Sequence, residues 1–359
     1  MDVLKKLSEY REKINDELER LLDEKIENAK KEYPGAADYL EWIRDYNMRG
    51  GKRLRPAFMV AAYEGVGGKE MDKIYKASAS IELMEGYFLI HDDIMDQDDL
   101  RRGGPTLHVA YLDYYKKHFQ GSEMRAKRFS EGMAIIAGDY VQSLAVEALL
   151  NSGFDQARIV EALKVYEYAN QSTNFGQFLD MLSEEMKAEE VTEEHTMNIH
   201  KTKTSIYTIE APLLMGWALG GGSEEQREAF SNYAIPLGQA FQLQDDILGM
   251  FGDVKKLGKP VGSDLRDGKK TILVIKALEK GSPEQKKKLL SLLGKLHITE
   301  QEIEEAKQIM RDTGALDYTR NKARELASEA LEAIENVELA EEAKQYLIGI
   351  AEYLINREV

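Results

Sequence analysis

The chain has 359 residues, carries 64 acidic against 48 basic side chains for a net charge of −16, and contains no cysteine. That balance argues against a nucleic-acid surface or a general attraction to anionic membranes. The missing thiols exclude disulfides, thiol catalysis and thiolate metal sites.

Val3 to about Lys31 reads as an amphipathic, strongly charged helix ended by Tyr33-Pro-Gly-Ala36, and a second short helix runs through Tyr46. The start has no signal-peptide core and no unbroken apolar run approaches 18 residues, so a cytoplasmic protein without stable membrane insertion is expected. Arg49-Gly-Gly-Lys-Arg-Leu-Arg-Pro56 is a glycine turn that carries Lys52, Arg53 and Arg55 into the next helix. Pro56 suits a first helical turn, whose positive end favours anions.

Met71 to Met95 is an apolar-rich helix that closes on Asp92-Asp-Ile-Met-Asp96. Asp92 and Asp96 are four residues apart and share one face, about 6 Å apart along the axis, with Asp93 beside them. Like charges at that spacing repel, and a chain tolerates them when the oxygens have a cation to bind. Mg²⁺ suits carboxylates that also share phosphate oxygens of a substrate. Arg101 and Arg102 follow at once, with fork geometry matched to phosphate.

Gly103-Gly-Pro105 breaks the chain, and helical periodicity returns over Leu107–Phe119, Met124–Leu150 and Gln156–Lys187. Within the last, Gln177 and Asp180 are polar on a mostly apolar helix, either as core hydrogen-bonders or as pocket groups. His200-Lys-Thr-Lys-Thr-Ser-Ile-Tyr207 comes next, with a kink expected at Pro212. Glu224–Phe251 is a long apolar helix bearing a second pair, Asp245-Asp246, near its end. An acidic run at one helix end is usually a solvated face, but two pairs that each close an apolar helix are not. Gly252–Lys270 is rich in lysine and glycine, a solvated loop or a lid over a charged ligand. Thr271–Val359 reads as helices split by Gly281-Ser-Pro283, Gly294 and Gly314, without catalytic signal. No strand-like alternation of useful length occurs, so the expected class is all-α, one domain over 1–359.

Taken in order, Gly51-Lys-Arg-Leu-Arg-Pro56, Asp92-Asp-Ile-Met-Asp96 with Arg101-Arg-Gly103, Lys203-Thr204, Phe241-Gln242 before Asp245-Asp246, and Gly258-Lys259 with Lys269 resemble the trans-isoprenyl diphosphate synthases of the farnesyl and geranylgeranyl type. Each motif alone is weak, but their order and spacing are specific and cover most of the chain. The resemblance implies a helical bundle around a central apolar cavity, a homodimer, and two or three Mg²⁺ ions bound with substrate diphosphate. It implies that Asp92, Asp96 and Asp245 are metal ligands, with Asp93 and Asp246 in support. Arg101, Lys203 and Lys259 would grip the allylic diphosphate with Gln242 and Lys269 nearby. Lys52, Arg55 and Arg102 would hold isopentenyl diphosphate, and Thr204 would lie against the reacting carbons. Lys201-Thr202 also reads Lys-Thr, but Tyr207 and Pro212 fall at the family's offsets only from Lys203-Thr204.

The implied reaction condenses isopentenyl diphosphate head-to-tail with dimethylallyl, geranyl or farnesyl diphosphate and releases diphosphate. Two departures from the family pattern stand out. Gly249 stands where many members have a third acid, and Glu85 stands where relatives carry Gln or His. A carboxylate at 85 repels a diphosphate unless it pairs with Lys52 or Arg55 or is protonated, and pairing is the expectation. Tyr87 and Phe88 lie about one turn before Asp92, where bulk would floor the cavity and limit products to farnesyl or geranylgeranyl length. The alternatives weighed are a class I terpene cyclase, against which the Asp245-Asp246 pair and the Lys52/Arg55 loop argue, and a non-catalytic partner subunit, which would not keep its first motif whole.

Overall fold

The computed structural model describes residues 1–252 and 261–356. Helix α1 (Val3–Glu32) starts where the Asp2 carboxylate accepts from the amides of Leu4 and Lys5. Its buried side chains Leu7, Tyr10, Ile14, Leu18, Leu22 and Ile26 recur every three or four residues, which is the core stripe of an amphipathic helix. Burying each aliphatic of that stripe stabilises by roughly 1.5–3 kcal/mol.

The described chain falls into two compact helical units, one made of Asp2–Lys164 with Met215–Gly221, the other of Val165–Leu214 with Gly222 onward. In the first, α2 (Ala37–Met48), α3 (Leu54–Gly65), α4 (Met71–Met95), α5 (Leu107–His118) and α6 (Glu123–Leu150) gather around α4, which packs most extensively on α6. Helix α4 is buried nearly all round from Ala77 to Met84 and only opens toward its acidic end. Among the described residues the one pair of strands follows it: β1 (Leu100–Arg101) pairs antiparallel with β2 (Gly104–Pro105). Arg102 and Gly103 make the turn with φ of 50° and 77°, the left-handed pair that a two-residue hairpin demands. Helix α6 is, among the described residues, the one helix long and apolar enough to cross a membrane, with 44% of its apolar window buried. Counting unbroken apolar runs overlooks it, because its charged residues interrupt the run without lowering the window average.

In the second unit α10 (Glu224–Phe251) is the axis, flanked by α15 (Ala315–Glu335) and by a π-helix over His200–Glu210. Helix α7 (Gln156–Glu185) leads to α8 (Glu193–Ile199), which runs straight into the π-helix, and α9 (Ala211–Gly220) continues from it. A kink was expected at Pro212; instead the distortion spreads over the eleven residues before it. Proline lacks the N–H that would bond back one α-turn, and the register widens ahead of it, with the Ala211 amide reaching Ile206 O. The rest is α11 (Ser263–Arg266), α12 (Ile272–Lys280), α13 (Pro283–Leu292), α14 (Glu300–Asp312) and α16 (Glu341–Asn356). Met250, Leu273, Leu289 and Met310 join one apolar cluster there, and Leu243, Ile272 and Leu326 another.

Candidate active site

The first acidic motif occupies the last turn of α4, where the Asp96 amide caps the Asp92 carbonyl at 2.8 Å. Asp96 is exposed and Asp92 partly so, whereas Asp93 is 1% exposed. The division follows from the helix: Asp92 and Asp96 share the outer face, and Asp93 turns inward. There it accepts from the Tyr46 hydroxyl at 2.6 Å and from Arg101 Nε at 2.7 Å. Burial pushes Asp93 up to about 6 against the pull of Arg101 and Tyr46. Arg101 also reaches Asp98 at 2.8 Å and Asp92 at 3.9 Å, so β1 holds a guanidinium against the motif.

The basic loop before α3 divides its cations. Lys52 is exposed, while Arg53 is 2% exposed and left-handed at φ 55°. Arg53 pairs with buried Glu82 and bonds Asn15 Oδ1 and Asn47 O, both at 2.9 Å, so it anchors the loop. Glu85 Oε1 lies 2.8 Å from Arg55 and 3.1 Å from Arg102. The pairing expected of Glu85 is therefore with Arg55, and Arg102 joins it. Tyr87 is buried and Phe88 half-buried on α4, with ring centroids 4.3 Å apart.

In the other unit, Lys203 Nζ donates to Asp180 Oδ2 at 2.6 Å. Burial would raise Asp180, but Lys203 and Lys269 outweigh it and hold the carboxyl below the usual range. Thr204 Oγ1 donates to Gln242 Oε1 at 3.1 Å, and Gln242 Nε2 donates to Asp246 Oδ1 at 2.9 Å. His200 Nε2 lies 3.5 Å from Asp246 Oδ2. Burial pushes Asp246 up to about 8, with Asp264 adding to it, and burial pushes His200 down to about 4. These groups, with Lys269 and Lys270, line a cavity of about 110 Å³. Asp245 is half-buried on the same turn of α10. The π-helix can approach because α7 has glycine where it passes: a Cβ on Gly176 would sit 2.4 Å from the Lys203 backbone nitrogen.

The glycine at 249, the first departure from the family pattern, has a spatial counterpart. A Cβ there would lie 3.0 Å from Asp264 Oδ2, so an acid from α11 fills the room that a side chain at 249 would take. Lys259 lies outside the described residues. The structure thus brings Lys203, Thr204, Gln242, Asp246 and Lys269 to one cavity and Arg55, Glu85 and Arg102 to one cluster. Sequence reading left Asp180 open between a core hydrogen-bonder and a pocket group, and it lines the cavity. It did not single out His200, Asp264 or Lys270 as site residues, and these are recognisable only in three dimensions.

Hard-oxygen donors at both motifs suit Mg²⁺, yet among the described residues no three acids or histidines converge closely enough to hold an ion alone. That is the donor set Mg²⁺ uses when substrate phosphates complete its shell. Asp246 Oδ2, buried without a hydrogen-bond partner among the described groups, fits the same chemistry.

Comparison with known proteins identifies the family. Residues 37–310 match the polyprenyl synthetase family. The geranylgeranyl diphosphate synthase of Saccharolobus solfataricus is 36% identical over 315 residues, 86% of this chain and 87% of that one. The short chain isoprenyl diphosphate synthase of Methanothermobacter thermautotrophicus is 36% identical over 362 residues, 100% of this chain and 98% of its own. A geranylgeranyl pyrophosphate synthase from Corynebacterium glutamicum, solved with isoprenyl diphosphate and magnesium, superposes with a TM-score of 0.91 at 30% identity, covering 98% of this chain and 99% of that one. The chain belongs to the polyprenyl synthetase family and is a prenyltransferase of the all-α isoprenoid synthase fold.

Proposed function

We propose that this enzyme condenses isopentenyl diphosphate with allylic diphosphates to give farnesyl or geranylgeranyl diphosphate, acting as one catalytic domain in the cytoplasm. The observation that carries the reading is the pair of aspartate motifs, each on its own helix and each beside cations of the protein. Asp92, Asp96 and Asp245, with Asp93 and Asp246 in support, would bind two or three Mg²⁺ ions through the allylic diphosphate. The ions would supply charge stabilisation to the departing diphosphate.

The chemistry needs an allylic C–O bond to break while negative charge grows on diphosphate oxygens. Arg101, Lys203 and Lys269 are donors already held in place, so they stabilise that charge without reorganising. Asp180 steadies Lys203, and Gln242 steadies Thr204, beside the reacting carbons. The double bond of isopentenyl diphosphate, gripped by Lys52, Arg55 and Arg102, then attacks the allylic carbon. A proton is lost from the adjacent carbon to the released diphosphate. No Ser, Cys or His nucleophile has a part to play.

A homodimer is supported by apolar side chains on the outside of two helices. Ile135 and Ile136 on α6 are 47% and 56% exposed, and Phe175 and Phe178 on α7 are 66% and 64% exposed. Tyr87 and Phe88 would set product length as the floor of an apolar cavity.

The test is incubation of the purified protein with labelled isopentenyl diphosphate, Mg²⁺ and each allylic primer, followed by dephosphorylation and sizing. A C15 or C20 alcohol is expected, and Tyr87→Ala with Phe88→Ala is expected to lengthen it. No incorporation with any primer, or a hydrocarbon formed without isopentenyl diphosphate, would overturn the reading; an unchanged product from the double variant would remove the floor.

A further inference from the structure

We infer that Glu85 is a placeholder anion: its carboxylate occupies the phosphate-binding hydrogens of Arg55 and Arg102, and an incoming diphosphate must displace it. The inference rests on the assignment of Arg55 and Arg102 to the isopentenyl diphosphate site.

One oxygen of Glu85 pairs with both arginines, 2.8 Å from Arg55 and 3.1 Å from Arg102, from which it accepts a hydrogen bond, with the side chain 13% exposed. A single point that satisfies two guanidinium groups at once is the position a bridging phosphate oxygen takes. The cluster continues as an alternating chain. Arg102 also approaches Glu82 at 3.9 Å, and Glu82 in turn holds Arg53. The two acids lie three residues apart on α4, so they stand one above the other on one face of that helix.

The two acids do different work. Glu82 is 2% exposed and locks Arg53, which is buried and makes two further hydrogen bonds, so this inner pair is structural. Glu85 holds only the outer arginines, whose side chains are 14% and 23% exposed. Burial opposes ionisation of Glu85, but Arg55, Arg102 and Arg53 outweigh it and keep the carboxyl below its ordinary range. It is therefore a charged competitor rather than a neutral spectator.

The backbone is shaped around the same contact. Among the described residues only Arg53, Gln97 and Arg102 have positive φ without being glycine, and two of the three are in this cluster. The Arg102 guanidinium packs over Gly51, where a Cβ would meet its Cζ at 3.3 Å. Glycine at 51 thus lets the basic loop and the β1–β2 turn present their cations together. A phosphate entering there finds two arginines already converged, at the expense of moving one carboxylate.

The direct test is calorimetric titration with isopentenyl diphosphate, without divalent cation and without an allylic partner, so that nothing reacts. Glu85→Gln, which keeps shape and loses charge, is expected to tighten binding about tenfold, the worth of one freed charge-assisted contact. Glu85→Ala must tighten it too, so the result does not hang on one replacement. In turnover the same variants should lower KM for isopentenyl diphosphate and sharpen competition by inorganic pyrophosphate against it. Arg55→Ala run beside them separates the two levels of the argument. Weaker binding in Arg55→Ala together with unchanged or weaker binding in both Glu85 variants would mean that the carboxylate organises the arginines, and would overturn the placeholder. Unchanged binding in Arg55→Ala would overturn the site assignment itself.

Discussion

The two aspartate motifs solve one electrostatic problem in opposite ways. At the end of α4 the acids spread outward: Asp92 and Asp96 keep contact with solvent, and the single inward acid, Asp93, is matched by Arg101 and Tyr46. On α10 Asp246 turns inward: it is 5% exposed, shares a cavity with His200, Asp264 and Asp180, and accepts from the Gln242 side-chain amide. The first motif has a protein cation, Arg101, in direct contact. At the second, burial raises Asp246 and lowers His200, while Lys203 and Lys269 line the same cavity. Both arrangements present carboxylate oxygens, from Asp92 and Asp96 at the first motif and from Asp245 and Asp246 at the second.

The largest effect expected of breaking either side is on turnover. Asp92→Asn and Asp245→Asn should each lower kcat/KM by roughly 1000-fold, the scale on which preorganised charge stabilisation is lost. Steady-state rates at saturating Mg²⁺ would show it. A loss of under about tenfold in one variant would make that motif structural and dissolve the symmetry between them.

A smaller effect sharpens the contrast. In the second cavity Asp180 is paired with a protein cation, Lys203. Asp180→Asn should lower kcat about tenfold by loosening Lys203, with less change in KM, because the loss falls on orientation. The double variant with Lys203→Ala should be no worse than Lys203→Ala alone. Additive losses would show that Asp180 acts independently of the lysine.

The smallest effect is on stability and concerns Asp246 alone. Its pKa of about 8 in the folded chain lies above the ordinary carboxylate value of 3.8. The folded state therefore binds the extra proton, and the stability this confers is lost as pH rises through about 8. His200, depressed to about 4, has the opposite sign, but it is neutral in both states above its ordinary 6.5. Between about pH 6.5 and 8.5 the metal-free enzyme should thus lose thermal stability, and Asp246→Asn should flatten the slope. Parallel melting curves for the two proteins across that window would show instead that Asp246 is already ionised.

Much of this was legible in the sequence where the information is local. Asp92 and Asp96 announce themselves because helix spacing alone puts them on one face, and the stripe of α1 follows from the same period. Pairings across the fold were not legible. Asp180 and Lys203 are 23 residues apart, and Asp264 meets Gly249 only because α11 folds back over α10. Lys52, Arg53 and Arg55 read as one basic loop, yet a left-handed turn at Arg53 buries it against Glu82 and leaves its neighbours outward. Composition cannot say which of three cations points inward. Pro212 signals a distortion, but no local pattern encodes that it spreads over His200–Glu210, a segment that packs on α10.

The central claim is that protein and diphosphate together make the metal site. The most direct measurement is a calorimetric titration of the metal-free enzyme with Mg²⁺, alone and again with a slow-reacting allylic thiolodiphosphate bound. The account predicts no saturable binding in the first case at Mg²⁺ concentrations that saturate the second, and loss of the second in Asp92→Asn. Saturable Mg²⁺ binding to the enzyme alone, unaffected by the diphosphate, would contradict it.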